Sequence, residues 1–154
     1  MTHDKQTESP LSPRVTPEPV ELGAQEGPQL GLFPIWEALL GLLAFDVLGF
    51  GRNFAKLHRL VSKWRVAPRK PLPHAVDRVC EAMNYACVWY PKRVLCLQRS
   101  AVTTCLLRTC GVPAEMVMGA QTLPFKAHAW TEVAGRAINE RRDVQNIYGA
   151  WDRC

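Results

Sequence analysis

From Pro34 to about Arg65 the apolar positions keep helical spacing. Leu39, Leu40, Leu43, Val47 and Leu48, then Leu57, Leu60 and Val61, recur three or four residues apart, the interval that lines one face of a 3.6-residue turn. Gly49 and Gly51 flank Phe50 and predict a break into two helices. Ala67–Pro73 combines prolines with Arg69 and Lys70 and reads as a linker. His74–Val88 is helical again, with Val76, Val79, Cys80, Met83 and Cys87 as its stripe and Pro91 beyond its end. Cys96–Cys110 is the best-defined helix, with Ala101, Val102, Cys105, Leu106 and Thr109 expected along its inner side. Gly111 stands where a left-handed C′ residue ends a helix, and Pro113 follows.

The period then changes to two. Ala114–Ala120 reads as a short strand, Gln121–Lys126 as a loop around Pro124, and Ala127–Val133 as a second strand. Ala134–Gly135 is a turn signal, and Arg136–Glu140 is the expected returning strand. Arg141–Cys154 is left as a short, partly apolar tail. Helices first and a run of strands last predict an α+β fold.

A chain of 154 residues with 47% apolar content holds one core. Residues 1–29, with Pro10, Pro13, Pro17, Pro19 and Pro28, offer little burial against the entropy of ordering and are expected to be disordered. The organisation expected is that tail, a helical region with linker over 30–73, and a core over 74–154. Net charge is +5, and the tail is acidic. The folded part is therefore more basic, most densely at Arg52, Lys56, Arg59, Lys63, Arg65, Arg69 and Lys70. We read that stretch as a solvated helix face, with no nucleic acid bound. No basic segment followed by an apolar run marks a secretion signal. Phe33–Phe50 is interrupted by Pro34, Glu37 and Asp46 and predicts no membrane span. A cytoplasmic protein is expected. Its six cysteines, 80, 87, 96, 105, 110 and 154, contain no CxxC pair, so no metal site is expected and the thiols stay reduced.

Two of these residues carry chemistry together. Cys96 opens the best helix, where unpaired backbone N–H groups and the positive end of the macrodipole favour a thiolate. Such a nucleophile needs a base from another element. His128 supplies one, because it begins an alternating strand between the small residues Ala127 and Ala129. His3, His58 and His74 lie in poorer settings. The N–H groups of Cys96 and Leu97 are candidates for an oxyanion hole. Arg99 either pairs with an acid in the core-facing layer or stays free, Trp130 either packs over the site or core or binds substrate, and Pro124 and Phe125 line a groove or anchor a loop.

The runs C-L-x-R-S from Cys96, L-L-R-x-x-G-V-P-A from Leu106 and P-F-x-A-H-A-W-T-E from Pro124 together resemble the leader peptidases of lasso peptide biosynthesis, which are transglutaminase-like. The resemblance implies a transglutaminase-like or papain-like cysteine peptidase core, with Cys96 as nucleophile and His128 as base. It implies a ribosomally made precursor peptide as substrate and a partner macrolactam cyclase of the asparagine-synthetase type. ATP dependence in the coupled reaction is also implied. No GxxxxGK[ST] occurs in the chain, so ATP is left to the partner or to an unrecognised site, with no cofactor expected in the chain itself. A chain this short is expected to lack a fused recognition domain and to use a separate leader-recognition protein docked on the N-terminal helices. Rival expectations are an acyltransferase of the same superfamily and a non-catalytic peptide-binding scaffold.

The third catalytic member depends on a turn. The family's acid is an Asp on the strand after the histidine strand; this sequence departs from that pattern, and the position falls on Glu140, with Asn139 beside it. A strict two-residue turn at Ala134–Gly135 pairs Val133 with Arg136 and puts Asn139 on the His128 face. A three-residue turn or a bulge puts Glu140 there. Either side chain can orient an imidazole. Glu140 is favoured by family position, Asn139 is the alternative, and Asp143 is a weaker third choice.

Overall fold

The computed structural model describes residues 32–48, 53–141 and 143–154. The expected tail over 1–29 and the glycine break at 49–51 lie outside the described residues. Two helices do flank that break, α1 (Leu32–Val47) and α2 (Phe54–Lys63). They are followed by α3 (Ala75–Trp89), α4 (Cys96–Thr109), β1 (Ala114–Thr122), β2 (Phe125–Val133), β3 (Arg136–Ile138), α5 (Val144–Ile147) and β4 (Gly149–Arg153). The strands form one antiparallel sheet in the order β3-β2-β1-β4, so the fold is α+β as expected.

α4 is the centre of the molecule. α1 and α3 pack on it from one side and β1 and β2 from the other. Gln98, Ser100, Ala101, Val102, Thr103, Thr104, Leu107 and Arg108 are all buried. The single inner stripe expected from Ala101 to Thr109 is thus corrected. Thr109 is exposed, Cys105 and Leu106 are only partly buried, and several polar residues lie inside. A helix covered on both sides has no apolar stripe to read, and its buried hydroxyls are satisfied instead. Ser100 Oγ donates to the Ala129 carbonyl at 2.8 Å, and Thr104 Oγ1 and Thr131 Oγ1 lie 3.2 Å apart. The Arg108 guanidinium bonds the carbonyls of Ala114 (2.7 Å), Val61 (2.6 Å) and Trp64 (3.1 Å). It therefore ties the end of α2 and the start of β1 to α4.

The apolar stripe of α1 also faces the other way. Leu40, Leu43, Val47 and Leu48 are half or more exposed, whereas Ala38, Leu42 and Phe45 are buried. α1 is apolar nearly all round, so spacing alone does not select a face. Close approach does: a Cβ on Gly41 would meet Val102 Cγ1 at 2.6 Å. Leu57 and Val61 of α2 are buried as expected.

Three strand boundaries differ from the sequence reading. The loop expected at 121–126 is a tight turn, because β1 and β2 stay paired out to Thr122 and Phe125. The returning strand stops at Ile138 instead of Glu140. The C-terminal tail contains α5 and an edge strand, β4, paired with β1 from Val117 to Ala120. Gly149–Arg153 lacks apolar alternation because four of its five residues are exposed. The turn at Ala134–Gly135 has two residues, with Val133 opposite Arg136. Both central residues have positive φ, 49° and 73°, the backbone of a type I′ hairpin turn.

Candidate active site

The first turn of α4 leaves backbone N–H groups without helical partners, and its N-cap, Leu95, supplies no side-chain bond. Cys96 lies there, half-buried. Its sulfur is hydrogen-bonded to His128 and also takes the backbone N–H groups of Ala129 and Leu97. His128 is the largest influence, and these bonds together hold the thiol below its ordinary value against the upward push of burial. The other five cysteines all move the opposite way. Burial raises Cys80 and Cys105 to about 11 and also lifts Cys87, Cys110 and Cys154. The thiol is shifted down at one cysteine alone, the one at the start of α4.

Helix α1 positions that start. Gln98 Nε2 donates to the Leu42 carbonyl at 3.0 Å. Just before the helix, Tyr90 Oη donates to Asp46 Oδ2 at 2.7 Å, and Lys92 Nζ lies 3.1 Å from the same oxygen. These two bonds, Tyr90 first, hold the Asp46 carboxyl below its usual range. Gln98, next but one to the nucleophile, is therefore an anchor to α1.

His128 stands opposite Gly119 on β2. Its Nε2 lies 3.3 Å from Glu140 Oε1, which leaves Nδ1 for the Cys96 sulfur. Contact with Cys96 first, and with Glu140 second, lifts the imidazole to about 9 against the opposing effect of burial. Glu140 in turn is held below its usual range, chiefly by its bond to His128. Cation and anions therefore support one another across three side chains.

Two aromatic rings fix the plane of the imidazole. Trp130 stacks on it at 6.2 Å and 21°, and Tyr148 meets it at 5.1 Å and 35°. Trp130 is buried and locked by its Nε1, which donates to Glu132 Oε1 at 2.7 Å. The same buried carboxylate takes Gln145 Nε2 at 2.7 Å and Arg153 Nη1 at 2.5 Å. The Trp130 ring needs the bare backbone of Gly119, where a Cβ would sit 2.8 Å from Trp130 Cη2. Trp130 therefore packs under the site, the first of the two roles expected for it. Tyr148, read as part of a tail, escaped the sequence analysis. No alternation or helical period marked the segment that carries it.

The third position is resolved in a way neither hairpin alternative anticipated. The turn is the tight one, yet Glu140 meets His128. Asn139 adopts φ 54°, in the left-handed region that asparagine tolerates better than most residues. This single residue ends β3 and breaks the side-chain alternation that the tight hairpin assumed. It turns Glu140 back towards the imidazole. The Asn139 carboxamide takes no such part, because its Nδ2 is buried with no protein partner. The Asn139 carbonyl accepts from Arg99 Nη2 at 3.3 Å, while that nitrogen also donates to Asn84 Oδ1 at 2.8 Å. Arg99 thus braces the kink and adds positive charge beside Glu140. Asp143 is not brought to the site and pairs with Arg141 at 3.2 Å. Pro124 and Phe125 stand exposed at the tip of the β1–β2 hairpin, Phe125 by 75%.

Chemically, the arrangement is a thiol of lowered pKa at a helix N-terminus, an imidazole of raised pKa hydrogen-bonded to it, and a carboxylate beside that imidazole, a set of groups suited to nucleophilic catalysis. Among the described residues no group of three or more His, Cys, Asp or Glu is placed to hold a metal ion. No described helix is long and apolar enough to cross a membrane.

Comparison with known proteins bears out the resemblance read from the motifs. The microcin J25-processing protein McjB of Escherichia coli is 33% identical over 51 residues, covering 33% of this chain and 24% of that protein. The alignment spans about a quarter of the relative's length. No solved structure matches. Residues 39–149, more than half of the chain, match the transglutaminase-like superfamily, and the chain belongs to that superfamily.

Proposed function

We propose that this protein is a cysteine peptidase that removes the leader from a ribosomally made precursor during lasso peptide maturation. One observation carries the reading: the Cys96 sulfur is bonded to His128, whose Nε2 lies 3.3 Å from Glu140. The likeness to a microcin-processing protein points to the class of substrate.

In this reading His128 holds the Cys96 proton and the thiolate attacks the carbonyl carbon at the leader–core junction. The oxygen becomes an anion beside the N–H groups that open α4. The C–N bond then breaks, and His128 gives its proton to the departing amine of the core. A thioester joins the leader to Cys96. His128 next takes a proton from water, the hydroxide attacks the thioester, and the leader leaves as a carboxylic acid. Glu140, Trp130 and Tyr148 keep the imidazole in plane throughout.

A separate leader-recognition protein would deliver the precursor, and a cyclase of the asparagine-synthetase type would close the freed core. ATP belongs with that cyclase. The setting is a compartment that keeps thiols reduced, such as the cytoplasm.

The test is reconstitution of the full chain with its precursor and partner proteins, read by mass spectrometry. Cys96→Ala and His128→Ala should each abolish leader removal, and the wild-type products should sum to the precursor plus one water. Wild-type cleavage by Cys96→Ala would sink the reading.

A further inference from the structure

β2 has two neighbours along only part of its length. β1 pairs with all of it, from Phe125 to Val133, but β3 reaches only Thr131, Glu132 and Val133. Beyond Thr131 no strand among the described residues lies on the edge facing β3. Ala129 shows how the first open step is filled. Its N–H goes to the Cys96 sulfur and its carbonyl accepts from Ser100 Oγ. Both atoms belong to the first turn of α4, so the nucleophile occupies a rung that a longer β3 would have taken.

In an antiparallel strand the N–H and C=O of one residue point to the same side, and every second residue repeats that direction. Val133 and Thr131 turn theirs to β3, and Ala129 turns its own to α4. Ala127 is next in the series, about 7 Å along the strand. It is exposed, and neither a strand nor a helix lies along that edge at its position among the described residues.

We propose that the free edge of β2 at Ala127 pairs with the backbone of the extended precursor beside its scissile bond. The inference rests on the peptidase reading above. A peptide whose carbonyl carbon lies on the Cys96 sulfur already sits in the plane of the sheet, one rung from Ala127. Its neighbouring residue meets an unpaired N–H and C=O at ladder spacing, so an extended chain continues the sheet as a short added strand. Recognition there reads backbone geometry, while the small Ala127 side chain leaves the sequence of the paired residue unconstrained.

Synthetic peptides spanning the leader–core junction, each with one backbone N–H methylated, test this with the full chain and its partner proteins. Cleavage should fall by about tenfold or more in kcat/KM at one residue close to, but outside, the scissile amide, the size of one lost charge-neutral pairing. Ala127→Pro removes the N–H of the rung. If it still shows the alkylation of Cys96 at low pH that marks an intact site, it should lose a similar factor on the unmodified peptide. If it does not fold, the methylation series decides alone. A flat methylation series, or an intact Ala127→Pro that cleaves at the wild-type rate, overturns the inference and leaves the peptidase reading standing. A wild-type protein that cleaves no precursor overturns both.

Discussion

Glu140→Gln separates orientation from charge at the imidazole. The carboxamide keeps the size of the side chain and one acceptor oxygen, so what is lost is the negative charge 3.3 Å from His128 Nε2. At an effective dielectric of about 20, unit charges at that separation attract by about 5 kcal/mol. Each side chain of the pair is 21% exposed, so water screens part of this, and we take about 1.5–2.5 kcal/mol as the surviving term. At 1.36 kcal/mol per factor of ten, that is about a 13- to 70-fold loss in the population of the thiolate–imidazolium pair. The direction is fixed at both ends of the pH range. His128 is lifted to about 9 by Cys96 and then Glu140. Without the carboxylate it deprotonates at lower pH, and the alkaline limb of activity moves down. A weaker imidazolium stabilises the thiolate less, so the Cys96 thiol moves up and the acid limb moves up with it. The pH profile should narrow from both sides. Iodoacetamide alkylation of Cys96 against pH reads the acid limb without any precursor, and leader removal reads both. If Glu140→Gln leaves both limbs in place and cleavage within about twofold, Glu140 is not the orienting acid and the geometry has been misread.

Asn139→Gly should keep leader removal, because glycine holds φ 54° without strain, whereas Asn139→Val should lose about 1–2 kcal/mol of stability and displace Glu140. Denaturant melts and cleavage rates check both, and an inactive but folded glycine variant would restore a role for the carboxamide. Gly119→Ala forces a Cβ to within 2.8 Å of Trp130 and 2.9 Å of the Gly149 carbonyl. It should cost about 1–3 kcal/mol in thermal or denaturant unfolding, and an unchanged melting curve would refute the close packing. Burial pushes the Glu132 carboxyl up, but Arg153, Gln145 and Trp130 together bring it below its ordinary value of 4.5. A depressed acid stabilises the fold above its unfolded pKa, and that contribution is lost as pH falls through the folded value. Melting temperatures measured in acid should therefore drop more steeply for the wild type than for Glu132→Gln, and parallel curves would remove Glu132 from the account.

How much of this was legible depended on whether a residue announced its setting locally. Cys96 did, because the helix it opens is set off by the Pro91 break before it and by the Gly111 stop after it. The turn at Ala134–Gly135 was legible for the same reason. The face of α1 was not, since Leu40, Leu42, Leu43 and Phe45 are equally apolar and only the missing side chain of Gly41 decides which side meets Val102. β4 was not legible either. Its residues are mostly exposed, and its place in the sheet comes from pairing with β1, a partner some thirty positions earlier that leaves no periodic trace in the strand itself. The residue proposed to orient His128 lay between these cases. Glu140 and Asn139 are both candidates from the sequence, but a regular tight hairpin places Asn139, not Glu140, on the His128 face. What decided the outcome was a left-handed Asn139 after the last ladder pair, a conformation that asparagine permits but does not announce.

That one residue links the fold to the chemistry more closely than any of the three side chains taken alone. Were β3 to continue two residues further, Glu140 would pair with Ala129 across the ladder, as the tight hairpin requires, and the backbone of Ala129 would be consumed. The Cys96 sulfur would lose one of its two N–H donors, and Ser100 would lose the carbonyl that seats the first turn of α4 on the sheet. Stopping at Ile138 frees the rung for the nucleophile and swings Glu140 to the imidazole in the same step. Arg99, one turn into the helix that carries the nucleophile, bonds the carbonyl of the stopping residue. Placement of the acid and placement of the thiol are therefore one structural event. Variants that disturb Asn139 or Arg99 should move the limbs of the pH profile together, whereas variants at Trp130 or Tyr148 act on the imidazole alone.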